Sequence, residues 1–381
     1  MNRKLSWIVV AAVAFSACAP SRERQTAKPP NDIPVGVYAA LSGSEGAFGT
    51  ATVAGVQQAA DEINAAGGVL GRKIRLIIQD DQGRPDEAVS VVTKFITADK
   101  VSVIIGENSS NQSLAAAPIA QAARIPMISP SSTNPAVTEK GDYIFRVCFT
   151  DPYQGAALAS FVTKNLGLKK AAILRDNKTD YSVGLAQVFE TELTKRGGKV
   201  VLTQSYTGGD SDFHAQLTAI RQAAPDVVFI PGFYTEVGQI AIQARDLGIT
   251  VPLVGGDGWD SPTVIEIGGR SLDGCYYSDH YFVGEERAAV KSFVAAVRKR
   301  IGKLPDANSA LGYDALRLYA QAVKRAGTTD PARVRDALAS TRDYQGVSGV
   351  ITMGPERNPL KPVAMIKIEN LKTSFAGWVN P

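Results

Sequence analysis

From residue 33 onward, short β-branched runs alternate with longer helical stretches, and this alternation restricts the chain more than any other feature. Ile33–Ala40 reads as a buried strand, Thr52–Ala66 as a helix stopped by Gly67-Gly68, and Lys73–Gln79 as a second strand. Pro85, favoured in the first helical turn, opens a helix through Ala98. Val101–Gly106 is a third strand, followed by an Ala-rich helix from Gln112 to Arg124 and a fourth strand, Ile125–Ser129. The pattern then restarts: Pro152–Leu166 is helical, Ala171–Arg175 a strand, Ser182–Arg196 a helix and Val200–Gln204 a strand. Phe213–Ala223, Val227–Pro231, Glu236–Leu247 and Leu253–Gly255 continue it. Such alternation predicts parallel, doubly wound sheets, and two arrays of similar length predict two Rossmann-like α/β lobes. Helices over Glu286–Ile301, Ser309–Ala326 and Ala332–Ser340 must cover a sheet face, and Gly349–Met353 and Val363–Ile368 supply short strands.

The first residues bear on compartment. Arg3 and Lys4 precede an apolar run from Leu5 to Phe15, and Ser16-Ala17 offers a small-residue cleavage point before Cys18. A run this short reads as a secretory signal, because a membrane span needs about 20 apolar residues. Residues 1–17 are therefore expected to be a signal peptide and 18–31 a polar tether rich in Pro, Arg and Lys. Cys18 is placed for lipidation, with an incidental cysteine after a plain signal as the alternative. Without residues 1–17 the chain keeps 39 basic against 37 acidic side chains, so it carries no electrostatic footprint for nucleic acid. Cys148 and Cys275 sit in apolar segments and read as buried thiols, with a disulfide as the alternative.

Open α/β sheets bind ligands outside the carboxyl ends of their strands, which directs attention to the loops. Leu41–Gly49 is glycine-rich, but Gly43, Gly46 and Gly49 lie three apart and Phe48 occupies the turn, so it is no dinucleotide fingerprint. Gly106–Asn111, with Ser109 and Ser110, precedes a helix, where hydroxyls and free N–H groups suit an anion such as a carboxylate. Ordinary N-capping explains those serines equally well. Ser131, Ser132 and Thr133 project from a second hydroxyl loop held by Pro130 and Pro135. In the second array Tyr181 and Phe233 follow strands, and Asp257 stands between Gly256 and Gly258, suited to a cation such as an ammonium or to simple turn chemistry. His214 and His280 belong to no catalytic or zinc pattern, and no nucleophile elbow or phosphate loop occurs, so neither an enzyme nor a cofactor is expected.

Leu41-Ser42-Gly43, the run from Ala60 to Gly68 and the Ser129–Pro135 loop, together with Tyr181, Gly238-Gln239 and Gly256–Gly258, resemble the periplasmic leucine/isoleucine/valine-binding proteins of ABC transporters. The resemblance runs from about Asp32 over essentially the whole remaining chain. It implies the type I periplasmic binding fold, two lobes joined by a three-strand hinge with crossings near Asp151, His280 and Pro362. Residues 32–151 and 281–361 would then form lobe 1, and 152–280 with 362–381 lobe 2. It also implies that Ser110, Ser131 and Thr133, with Ser132 beside them, hold a ligand's α-carboxylate and part of its ammonium. Asp257 would pair with the ammonium from the other lobe, Tyr181 and Phe233 would close over the ligand, and Phe48 would line its side-chain pocket. Asn308 stands where the family has another apolar wall residue, and no cysteines near Gly83 and Ser109 provide the lobe 1 disulfide that some members have.

The expected partners are thus a small amino acid, most plainly a branched-chain one, and an inner-membrane ABC permease, with the protein a lipid-anchored, extracytoplasmic monomer. The competing expectation is a sensor that presents an amide, urea or aromatic acid to a receptor.

Overall fold

The computed structural model describes residues 32–381, so Cys18, the expected signal and the tether lie outside the described residues. The first elements are β1 (Ile33–Ala39), α1 (Gly46–Ala65), β2 (Ile74–Asp80), α2 (Pro85–Lys94), β3 (Val103–Ile105), α3 (Ser110–Ala122), β4 (Met127–Ser129), α4 (Ala136–Glu139) and β5 (Ile144–Arg146). Their strands form one sheet in the order β2-β1-β3-β4-β5, with every neighbouring pair parallel. Both faces are covered, which explains the continuous apolar runs. Ile33, Val35 and Val37 point into one core, and Tyr38 points into another with Val92, Ala117 and Met127.

The next elements are α5 (Asp151–Ser160), β6 (Lys170–Asp176), α6 (Asp180–Lys195), β7 (Lys199–Tyr206), α7 (His214–Ala223), β8 (Val227–Ile230), α8 (Tyr234–Asp246), β9 (Leu253–Gly255), α9 (Pro262–Gly268) and β10 (Cys275–Asp279). Strands β7-β6-β8-β9-β10 repeat the order of the first sheet. The chain then supplies α10 (Ala288–Ile301), α11 (Ala307–Ala326), α12 (Pro331–Ala339) and the small hairpin β11 (Tyr344–Gly346) and β12 (Gly349–Ile351). These pack onto the first sheet: Phe293, Leu316, Leu338 and Ile351 share a core with Val35 and Val37. Finally β13 (Val363–Glu369) and β14 (Lys372–Val379) extend the second sheet antiparallel beyond β10. The chain thus passes between the two lobes three times, through residues 147–150, 280–287 and 352–362.

Helix α1 begins at Gly46, six residues before the expected start, so Phe48 belongs to its first turn and not to a loop. Gly46 and Gly49 lower local helix propensity, but burial of Phe48 between the lobes overrides that weak preference. Close packing of α1 on α11 has a plain cause: a Cβ on Gly55 would lie 1.9 Å from the Ser309 carbonyl oxygen. Strand β14 was not expected, because its hairpin turn is made by Asn370 and Leu371 at φ 51° and 62°. A leucine in that left-handed position hides the Asn-Gly signal by which such turns are usually read. Cys148 and Cys275 are both buried free thiols. Burial pushes the Cys148 thiol up to about 12, and its Sγ donates to the Ser132 carbonyl (3.3 Å), while Cys275 lies 3.4 Å from Arg245 Nη2. Among the described residues no helix is long and apolar enough to cross a membrane.

Candidate functional site

The carboxyl ends of both parallel sheets face one cleft, and the two lobes meet across it. Asp180 N donates to Asn111 Oδ1 (2.9 Å), Asn111 Nδ2 to the Lys178 carbonyl (3.2 Å) and Asn134 Nδ2 to the Asp180 carbonyl (3.2 Å). At the α1 end Ala47 N donates to the Tyr234 hydroxyl (3.2 Å), and Thr235 Oγ1 to the Ser44 carbonyl (3.1 Å). Ala307 N, on the first lobe, donates to Asp260 Oδ2 of the second (2.7 Å). These bonds hold a closed arrangement. The cleft retains about 20 Å³ of free volume, room for a water or two.

The first lobe contributes donors. Ser109 flanks α3 but makes no side-chain cap; its hydroxyl turns instead to the Glu45 carboxylate. Capping therefore does not account for these serines. Ser110 opens α3 and lines the cleft, where the helix N-terminus presents unpaired N–H groups. Its Oγ accepts a hydrogen bond from Asn134 N (3.2 Å), which ties the two hydroxyl loops together. Ser131 and Thr133 line the same wall, and the Thr133 Oγ1 is buried with no hydrogen-bond partner. Ser132 departs from expectation. It does not line the cleft, because its hydroxyl is turned inward to the Glu107 carbonyl (2.8 Å) and Ser113 Oγ (2.8 Å).

The second lobe contributes a carboxylate under aromatic cover. Asp257 opens a short turn after β9, and its Oδ1 accepts hydrogen bonds from Gln154 Nε2 (2.7 Å) and the Tyr181 hydroxyl (2.9 Å). Its Oδ2 lies 2.9 Å from His280 Nε2. Burial pulls the His280 pKa below its ordinary value, with Asp257 pulling the other way, and the ring stacks on Phe149 at 3.6 Å between centroids. A carboxylate only accepts, so the imidazole faces Asp257 with Nε2–H. Gly256 is required here for space and not for turn geometry, since a Cβ would lie 2.3 Å from the Tyr181 hydroxyl and 2.5 Å from Gln154 Oε1. Tyr181 stacks on Phe233 at 5.3 Å and 4°, and Phe48 meets Phe233 edge-on at 5.9 Å across the lobes.

The titratable groups in the cleft are one-sided in kind. Asp257, Asp260 and Asp279 line it, and among the described residues no lysine or arginine does. Burial pushes the Asp260 carboxyl up to about 7 and Asp279 well above its ordinary value. Asp257 is oriented by three donors, Gln154, Tyr181 and His280. A carboxylate held by donors is suited to a cation, and a helix N-terminus flanked by hydroxyls to an anion. Among the described residues no group of His, Cys, Asp or Glu is placed to hold a metal ion.

Of the residues expected from sequence, the structure brings Phe48, Ser110, Ser131, Thr133, Tyr181, Phe233 and Asp257 to one cleft. Sequence reasoning missed His280, Gln154, Asp260 and Asn108. His280 directly follows β10, so treating Cys275–Asp279 as a strand and applying the strand-end rule would have found it. Gln154 lies within α5 and carries no local signal.

Residues 32–370 match the family model described as periplasmic binding protein. The chain is 33% identical over 315 residues to an amino acid binding protein of Pseudomonas aeruginosa, covering 81% of this chain and 83% of the relative. It is 31% identical over 354 residues to Leu/Ile/Val-binding protein homolog 3 of Brucella melitensis, covering 92% and 93%. The structure superposes on a leucine binding protein, LivK, of Thermotoga maritima with TM-score 0.88 and 37% identity, over 92% of this chain and 99% of that one. The branched-chain amino acid transporter substrate binding protein LivJ of Streptococcus pneumoniae, solved with isoleucine, gives TM-score 0.88 and 35% identity over 92% and 100%. With the model match spanning nearly all the described residues, the chain belongs to the periplasmic binding protein family, in its leucine/isoleucine/valine-binding branch.

Proposed function

We propose that the protein is the extracytoplasmic substrate-binding component of an ABC transporter, capturing a small amino acid of the branched-chain type by hinge closure. The observation that carries this reading is the division of the cleft. An α-amino acid presents a carboxylate and an ammonium a few ångströms apart, and the two lobes offer a receptor for each. Ser110, Ser131, Thr133 and the α3 N-terminus take the carboxylate; Asp257 takes the ammonium. Tyr181, Phe233 and Phe48 then cover the ligand and exclude water. Relatives named for leucine, isoleucine and valine support the side-chain class.

The ligand enters with the lobes apart, meets the hydroxyl loops of lobe 1 (32–151 and 281–361), and is enclosed when lobe 2 (152–280 and 362–381) brings Asp257 across. No bond is made or broken; closure itself is the output, read by a membrane permease. A neutral amide or an aromatic acid would leave Asp257 without a partner, which places a sensor for such ligands second. We further read Cys18 as a lipid anchor, residues 1–17 as its signal, and the protein as a monomer in the periplasm or at the outer face of the cell membrane. The test is calorimetry on the mature protein, unfolded and refolded to remove copurified ligand, against leucine, isoleucine, valine, benzoate and acetamide. Binding of an amino acid that is lost in Asp257→Asn supports the reading; binding of benzoate or acetamide alone overturns it.

A further inference from the structure

With the carboxylate and ammonium ends placed, the wall left for the ligand's side chain includes Phe48, Asn108, Ala307 and Asn308, and half of these are amides. Asn108 Nδ2 lies within hydrogen-bond distance of Thr52 Oγ1 (2.7 Å), Ser131 Oγ (3.1 Å) and Asn308 Oδ1 (2.7 Å), and its two hydrogens serve two of these three acceptors. Its Oδ1 is then buried with no partner, on a residue only 5% exposed. Asn308, 6% exposed, has the converse surplus. Its Oδ1 accepts from Asn108 Nδ2 and from Ser131 Oγ (3.1 Å), while its Nδ2 donates to no group among the described residues. One acceptor and one donor therefore stand unused on two residues that line the cleft and bond to each other. The fold holds them there through the close α1–α11 contact at Gly55, with Thr52 and Asn308 facing one another across it.

The geometry points to a ligand whose side chain both donates and accepts a hydrogen bond: a short hydroxyl or carboxamide side chain, with threonine the best fit. This inference rests on the amino-acid reading above and replaces its aliphatic side chain with a polar one of the same branched shape. A methyl group set against Asn108 and Asn308 would leave both amide groups desolvated and unpaired, whereas a hydroxyl satisfies the two at once. Threonine keeps the Cβ branch and the volume of valine and differs only by hydroxyl for methyl. A site built to pair with a hydroxyl discriminates against the analogue lacking it far better than an apolar pocket rejects an added one.

The experiment is isothermal calorimetry of the refolded, full mature protein with L-threonine, L-valine and L-leucine, repeated on Asn308→Ala. The expected result is a Kd for threonine about tenfold below that for valine. Asn308→Ala is expected to narrow that ratio to about threefold or less, with binding retained. Valine binding as tightly as threonine, or more tightly, in the unmodified protein overturns the inference whatever the variant does. If leucine binds while threonine and valine are indistinguishable, the amino-acid reading stands and the side-chain selection falls. If none of the three binds, the reading and this inference fall together.

Discussion

The two lobes repeat one strand order, β2-β1-β3-β4-β5 and β7-β6-β8-β9-β10, yet they present opposite chemistry at the same strand ends. In the first lobe the loops after β3 and β4 run into or beside a helix N-terminus and carry hydroxyls, so the wall attracts negative charge. In the second the turn after β9 carries Asp257, braced by Gln154, Tyr181 and His280, so the wall attracts positive charge. The lesson is that topology fixes where a ligand sits but not what it is. On the proposed reading, a zwitterion satisfies both walls only when they are brought together, which would couple recognition to closure. Each prediction below separates the contributions of the two walls.

The largest effect is expected from Asp257→Asn, which leaves the ligand ammonium buried without a countercharge. Affinity should fall by roughly 3 kcal/mol, about a hundredfold or more, by calorimetry. Ser110→Ala and Thr133→Val should each cost about 1–2 kcal/mol, because each removes one hydrogen bond to a charged carboxylate. Stopped-flow kinetics sharpens the contrast. If lobe 1 makes first contact, Thr133→Val slows capture, whereas Asp257→Asn chiefly hastens release; the reverse assignment would overturn the order of events. Asn111→Ala removes two inter-lobe bonds at the rim, and a loss of about 0.5–1 kcal/mol is expected, visible as a more open ensemble by small-angle scattering.

The smallest effect concerns pH. Burial pushes the Glu45 carboxyl up from 4.5 to about 7, with the charges of Asp81 and Glu236 adding to it and the Ser109 hydroxyl opposing. Glu236 belongs to the other lobe, so closure brings like charges together. A carboxyl whose pKa is higher in the closed form favours closure at low pH and loses that contribution as pH rises through about 7. Affinity should therefore weaken a few-fold between pH 5.5 and about 8, and Glu45→Gln should flatten the profile. A profile unchanged in Glu45→Gln would remove this residue from the account.

Most of the architecture was legible because covered parallel strands and amphipathic helices leave a periodic signal. Val35, Val37 and Ile105, or Val228 and Ile230, could hardly be anything but core. Where local and tertiary preferences disagree the signal failed, as at Gly46–Gly49, whose glycines conceal the first turn of α1, and at Leu371, whose left-handed backbone conceals a hairpin. The site followed the same division. Hydroxyls and Asp257 in strand-end loops could be found by position, and the family resemblance gave them roles. Ser132 could not be told from Ser131 by sequence, since the turn of the loop decides which of two adjacent serines lines the cleft and which is turned inward to the Glu107 carbonyl.

By itself, the amino-acid sequence determined the α/β class, the tandem arrays and the strand ends where a ligand must bind, because these depend on local periodicity and chain order. Only the tertiary structure decided the orientation of Asp257 by Gln154 and His280, residues 103 and 23 positions away. It alone paired Asn108 with Asn308 across 200 residues. Buried polar groups take their partners from whatever the fold brings within about 3 Å, and no local pattern records that distance.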